Sequence, residues 1–306
     1  MTSTPPPSGS EPLLRPELPD GLPPERVPPP GGGGRGTSSP GDELPPWPPW
    51  APFAAMLVTL GIAILGATFG TVVARLLGHD VSAGDPPAGV TITGTFFQDA
   101  GLIVSAWLLA RLTAGVPTAA QFGLRRLSAL KGLGWLMATW VAFIVFSAVW
   151  AAALGVTEND DLPQELGAED STTALVFVAV LVCVAAPIAE ELFFRGFCFT
   201  ALRRWIGVAG GAIATGVIFG AIHAGSADAV FLVPLGVFGA LLCLLYHRTG
   251  SLVPSIVLHA LNNSLALGVS QSWDAPQVIA VMIGATAAVL AIVLPFSART
   301  AEPQPA

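Results

Sequence analysis

Charge is what this chain has least of. Only 11% of its 306 residues are Asp, Glu, Lys or Arg, against 53% hydrophobic, and the mean hydropathy is +0.69. Soluble domains carry about 25% charged residues, so the composition points away from a water-soluble globule and towards an integral membrane protein. Lysine is nearly absent: Lys131 stands beside twelve arginines, with no basic patch interleaved with aromatics, which argues against a nucleic-acid partner. The net charge of −7 decides little, because the charges lie in loops and tails. Cysteine is scarce too. Cys183, Cys198 and Cys243 sit in or beside apolar segments without metal or disulfide spacing, so they are expected as buried small hydrophobes. HExxH, GxSxG and a Gly-rich phosphate loop are all missing, and no Ser or Cys nucleophile stands out.

Proline and glycine, by contrast, crowd one end. Residues 1–50 hold 16 of the 28 prolines and a GGGG run, which predicts a disordered, polyproline-like cytoplasmic tail able to bind a cytoplasmic partner or to act as a spacer. This stretch lacks the charged start and apolar run of a secretory signal, so no cleavage is expected in it. Trp47 and Trp50 then sit where an interfacial anchor is expected. Apolar segments of spanning length, about 20 residues, follow at 52–77, 92–112, 132–154, 173–193, 208–224, 229–247, 252–271 and 277–297. The expected fold is therefore all-α: a polytopic membrane bundle of about eight helices over 51–298, with a short tail at 299–306. Cytoplasmic loops collect Lys and Arg. With both termini inside, Arg15, Arg26, Arg35, Arg111, Arg125, Arg126, Lys131, Arg195, Arg203, Arg204, Arg248 and Arg299 fall at cytoplasmic ends and only Arg75 outside. The loop 155–171, with six acids and no base, suits the outer side.

The stretch Val178–Trp205 breaks the apolar pattern by placing Glu190, Glu191 and Arg195 where lipid-facing residues are expected. A charge at the centre of a membrane helix costs roughly 2.5–3.5 kcal/mol, and such residues mark functional sites by default. Glu191 and Arg195, four apart, share a helical face and can form a structural ion pair. Glu190, about 100° away, is left as a free carboxylate. Pro187 just upstream removes a backbone donor and can open the helix wall. Two further polar insertions follow: His223, four residues after Phe219, and His259 with Asn263, again four apart, beside Asn262.

Peptide hydrolysis in a membrane needs a base for water and donors for the oxyanion. Glu190 with His223 can hold and deprotonate a water, and His259 with Asn263 can donate to the oxyanion, with no cofactor required. An alternative uses Glu190, His223 and His259 as ligands of a divalent metal such as zinc. Spacing does not separate the two. With these boundaries Glu190 lies near the inner end of the fourth span and His223 near the outer end of the fifth. They can meet if the fifth starts deeper than residue 208, with the stretch WIGVAGG partly interfacial or re-entrant, or if the fourth begins later; the first is expected.

EELFFR (Glu190–Arg195), FGAIH (Phe219–His223) and HALNN (His259–Asn263) fit the motifs EExxxR, FxxxH and HxxxN in order. Over about 173–272 the chain resembles the CPBP family, the CAAX-protease and bacteriocin-processing membrane peptidases, whose type II CAAX prenyl endopeptidases carry these motifs. FGLRR (122–126) and GSLVPSIVLHALNNS (250–264) are similar to bacterial members. The resemblance implies a multi-pass cell-membrane protein and an all-helical fold opening towards the cytoplasmic half. It implies water activation by Glu190 and His223 and an oxyanion site at His259 and Asn263. The substrate would be a peptide or membrane protein, and the family has been described both as metal-dependent and as glutamate-based. Two other function classes fit the same residues: a proton-coupled carrier using the Glu–His set, and a non-catalytic membrane immunity or scaffold protein.

Overall fold

The computed structural model describes residues 1, 44–82, 86–156, 172–224 and 227–298. The Pro/Gly-rich segment up to residue 43, most of the acidic loop 155–171, and Arg299 with the C-terminal tail lie outside the described residues. Among the described residues seven helices follow one another: α1 (Ala51–Leu76), α2 (Ala88–Ala114), α3 (Ala129–Leu154), α4 (Thr172–Ile222), α5 (Ala229–Thr249), α6 (Val253–Ser270) and α7 (Ala275–Val293). Six are long and apolar enough to cross a membrane. The exception, α6, carries His259, Asn262 and Asn263, and these polar residues dilute its hydropathy.

Helices that face lipid should be apolar outward, the reverse of a soluble bundle. α3 buries only Gly132, Leu136 and Phe143, while Leu133, Val141, Val145 and Val149 stay exposed. α4 is the opposite. From Phe193 to Leu202 every side chain is buried, because α1, α2, α5, α6 and α7 all pack on its first arm.

α4 is a helical hairpin. At Gly207 the backbone takes φ 75°, ψ 175°, a conformation that glycine adopts without a Cβ penalty, and the chain folds back on itself. Arg203 then faces Gly211, Cys198 faces Thr215 at 4.0 Å, and the Phe194 and Phe219 rings meet edge to face with centroids 5.2 Å apart. Carried four residues further, this register sets Glu190 across from His223. The fourth span therefore runs well past residue 193. Arg195, expected at its cytoplasmic end, is fully buried within the arm. The expected deep start of the fifth span is not needed: the second arm begins directly after Gly207, and WIGVAGG forms the hairpin tip.

Trp47 differs from the expected interfacial anchor. It is 2% exposed and packs between Phe122 and Phe197, at 5.0 Å from each ring centroid. Trp50 stays exposed. The three cysteines are free and buried, as expected.

Candidate active site

Backbone irregularity prepares the site. α4 adopts π geometry at Leu181–Ala185 and again at Glu191–Phe199, on either side of Glu190. Such one-turn distortions of an α-helix concentrate at functional sites. In the first of them Ala186 N–H donates to Leu181 O, so the next donor in register belongs to residue 187. Residue 187 is proline and has none. The carbonyl this strands, Val182 O, is taken up from another helix: Asn263 Nδ2 donates to it at 3.0 Å. Asn263 thus has one amide hydrogen spent on structure and a second to use elsewhere.

Glu191 lies at the centre of a buried polar chain. Its Oε1 accepts from Arg195 Nη1 at 2.7 Å and from His259 Nδ1 at 2.9 Å. Arg195 also donates to Gly239 O at 3.2 Å and lies 4.5 Å over the Phe219 ring. The i,i+4 pair is therefore more than a brace, because Glu191 also orients the imidazole of α6. An ionised carboxylate only accepts, which puts the ring proton of His259 on Nδ1 and turns Nε2 away from Glu191. Nε2 lies 3.8 Å from Glu190 Oε2. That oxygen is buried and has no hydrogen-bond partner among the described residues.

His223 sits at the end of the second arm. Its Nδ1 bonds Phe219 O at 2.7 Å. A carbonyl can only accept, so Nδ1 carries the proton and Nε2 is left as an acceptor. Phe219 meets three of these side chains: it holds the His223 ring at 4.9 Å, meets His259 at 5.9 Å and carries the Arg195 guanidinium. Glycines set how closely this arm approaches α5. A Cβ at Gly216 would come within 2.5 Å of Gly236 O, and one at Gly220 within 2.5 Å of Leu232 O. Small residues of this kind let membrane helices pack backbone to backbone.

Glu190, His223, His259, Asn262 and Asn263 line one cavity of about 200 Å³. Asp99, with Gln98 and Thr95, also lines it from α2. Sequence reasoning passed over Asp99, although an ionisable residue inside the apolar segment 92–112 was a signal by the same rule that singled out Glu190. The FGLRR stretch ties down the start of α6: Gly123 O accepts from Leu252 N at 2.8 Å, Arg125 O accepts from the Ser251 hydroxyl, and Gly196 leaves room for Phe122 O. It thereby fixes where α6 begins and how deep His259 lies. Among the described residues no three His, Cys, Asp or Glu side chains gather closely enough to hold a metal ion. Glu190, His223 and His259 therefore do not fit the zinc alternative as a ligand set, and no step below runs through a metal.

Residues 172–265 match the family model described as type II CAAX prenyl endopeptidase Rce1-like. That segment is similar to an Rce1-like domain. It spans α4, α5 and most of α6, under a third of the chain, and contains all three motifs. The Rce1-like match on a bundle of apolar helices supports a multi-pass membrane protein of a membrane-protease family. No curated protein and no solved structure matches the chain.

Proposed function

We propose that the protein is an intramembrane endopeptidase that hydrolyses a peptide bond inside this cavity, near the membrane surface. The observation that carries the proposal is the pairing of a partnerless, buried carboxylate oxygen on Glu190 with two imidazoles on the walls of one cavity. A water held between Glu190 and the free Nε2 of His223 gives up its proton to the carboxylate as it attacks the carbonyl carbon. Glu190 then hands that proton to the leaving amine. The oxyanion meets the unspent amide hydrogen of Asn263 and, when its ring is protonated, Nε2–H of His259. The Glu191 carboxylate on Nδ1 fixes that ring, as the orienting acid does in a hydrolytic triad. Glu191 and Arg195 are positioning residues in this scheme; Glu190, His223, His259 and Asn263 are the catalytic ones. The membrane body is 51–298, both termini face the cytoplasm, and the substrate is a peptide or membrane protein.

The test is cleavage of a tagged membrane-peptide library by purified protein in micelles. Glu190→Gln and His223→Ala should lose turnover by at least the roughly 10²–10⁴-fold that general acid–base catalysis supplies, with elution volume and helicity unchanged. Undiminished cleavage by Glu190→Gln would remove the assigned base. Retention of activity in a chelator, with metal content measured on the same sample, separates this scheme from a metal-dependent one.

A further inference from the structure

Asp99 is a buried acid that the scheme above leaves idle. It lies on α2, outside the Rce1-like segment, at 5% exposure, and both of its carboxylate oxygens lack a hydrogen-bond partner among the described residues. Thr95 and Gln98 precede it by four residues and one, so helical spacing gives α2 a single polar face, and all three residues line the cavity. That face is held rigidly. A Cβ on Gly66 would overlap the Phe97 side chain at 2.3 Å, a Cβ on Gly101 would press on Ile62 at 3.3 Å, and Thr59 and Ser105 share a hydrogen bond of 2.8 Å between α1 and α2.

A carboxylate buried without a partner is expensive, and at membrane depth such groups are kept where something is to be bound or moved. Here acceptors without partners gather. Glu190 Oε2 joins the two Asp99 oxygens, so three partnerless carboxylate oxygens belong to one cavity. No Lys or Arg is among the described residues that line it, and the Arg195 guanidinium is already committed to Glu191 and Gly239. Asp99 and Glu190 lie on the walls of the same cavity, so one occupant meets both acids. Neighbouring buried acids keep their charge when a cation lies between them, so such a cleft favours a cationic occupant. Water can supply hydrogens but not the charge. A lysine ammonium or arginine guanidinium supplies both, with three or five donors and no acceptor.

We propose that Asp99 is a specificity residue that receives the basic side chain of a Lys or Arg in the peptide substrate, beside the bond that Glu190 and His223 attack. This rests on the peptidase reading, and the experiment has one arm that does not. In the kinetic arm, matched peptides carrying Lys, Gln or Glu at each position in turn are cleaved by wild type and by Asp99→Asn. At one position kcat/KM for Lys over Gln should be roughly tenfold or more, a modest fraction of what close charge pairs contribute to recognition. The ratio should fall towards one in Asp99→Asn and survive in Asp99→Glu. In the binding arm, the same peptides, fluorescein-labelled, are titrated into Glu190→Gln protein and followed by anisotropy. The Lys peptide should bind more tightly than the Gln peptide, and the difference should vanish when Asp99→Asn is added. Should the Asn protein fail to fold, Asp99→Ser serves in its place. Selective binding without any cleavage would sink the peptidase reading and leave the subsite. Cleavage with no basic preference, a preference that persists in Asp99→Asn, or no selective binding would each overturn the subsite.

Discussion

Truncating Asn263 should destabilise the bundle by an amount that depends on residue 187. Val182 O draws its hydrogen bond from Asn263 because the π register assigns its helical donor to a proline. A buried carbonyl left without a donor costs about 1–3 kcal/mol. Interhelical hydrogen bonds in membrane proteins average only about 0.6 kcal/mol, reaching about 1.7, because the unfolded chain in lipid finds other partners. With a proline in the place of its helical donor, Val182 O relies on Asn263, which puts Asn263→Ala near the top of that range, about 1.5 kcal/mol. Pro187→Ala restores an N–H where the carbonyl needs one. In that background Asn263→Ala should cost only a few tenths, a coupling of about 1 kcal/mol against an additivity error of about 0.3–0.5. Unfolding the four proteins of the cycle by SDS in mixed micelles, followed by far-UV circular dichroism, measures it. Turnover provides the contrast. Loss of one oxyanion donor costs roughly 10²–10³-fold, and Pro187→Ala should return the stability without returning the rate. Strictly additive stabilities would refute the account of why Asn263 reaches α4.

Two further outcomes test the surrounding structure. Glu191→Ala should cut the yield of folded protein, since removing one partner of a buried pair costs about 3–5 kcal/mol and here also frees the His259 ring; normal yield in a detergent extract, with an unchanged imidazole signal by NMR, would argue against it. Gly220→Leu should lose both thermal stability and cleavage, because the new side chain meets Leu232 O at a distance no Cβ tolerates and drives the His223 arm off α5; a melting temperature within error of wild type would show that the arms need not touch.

The three polar motifs and the apolar character of the bundle were legible because lipid makes every hydrophilic side chain conspicuous. The 3.6-residue period was enough to pair Glu191 with Arg195, and that pair is formed. What lipid logic got wrong was Arg195. A charge reads as the end of a span unless its partner is inside, and full pairing with Glu191 lets the helix continue past it. That misplaced end made Glu190 and His223 look out of reach of each other. The hinge at Gly207 puts them level, but nothing local marks it out from Gly210 and Gly211 beside it. Trp47 was read as an anchor because tryptophan favours interfaces, and only tertiary packing shows the hole between Phe122 and Phe197 that it fills. Asp99 was visible and unplaced: the period of α2 gives its face, and the α1–α2 packing decides what that face meets.

The depth of the His259 imidazole follows from three ties on α6, and each depends on an irregularity elsewhere. Leu252, just before the helix, bonds Gly123 O in the FGLRR strap, where φ is +85° and a Cβ would strike the Tyr246 ring at 2.5 Å. His259 itself is held by Glu191, a carboxylate buried at the start of the second π stretch. Asn263, one turn on, is held by the carbonyl that Pro187 strands in the first. In a regular α4, Ala186 N–H would take Val182 O and leave α6 nothing to bind there. A strap without Gly123 could not reach Leu252. The polar wall of α6 is therefore set by two backbone carbonyls, Gly123 O and Val182 O, and by the Glu191 carboxylate, and its chemistry is positioned from outside the motif that names it.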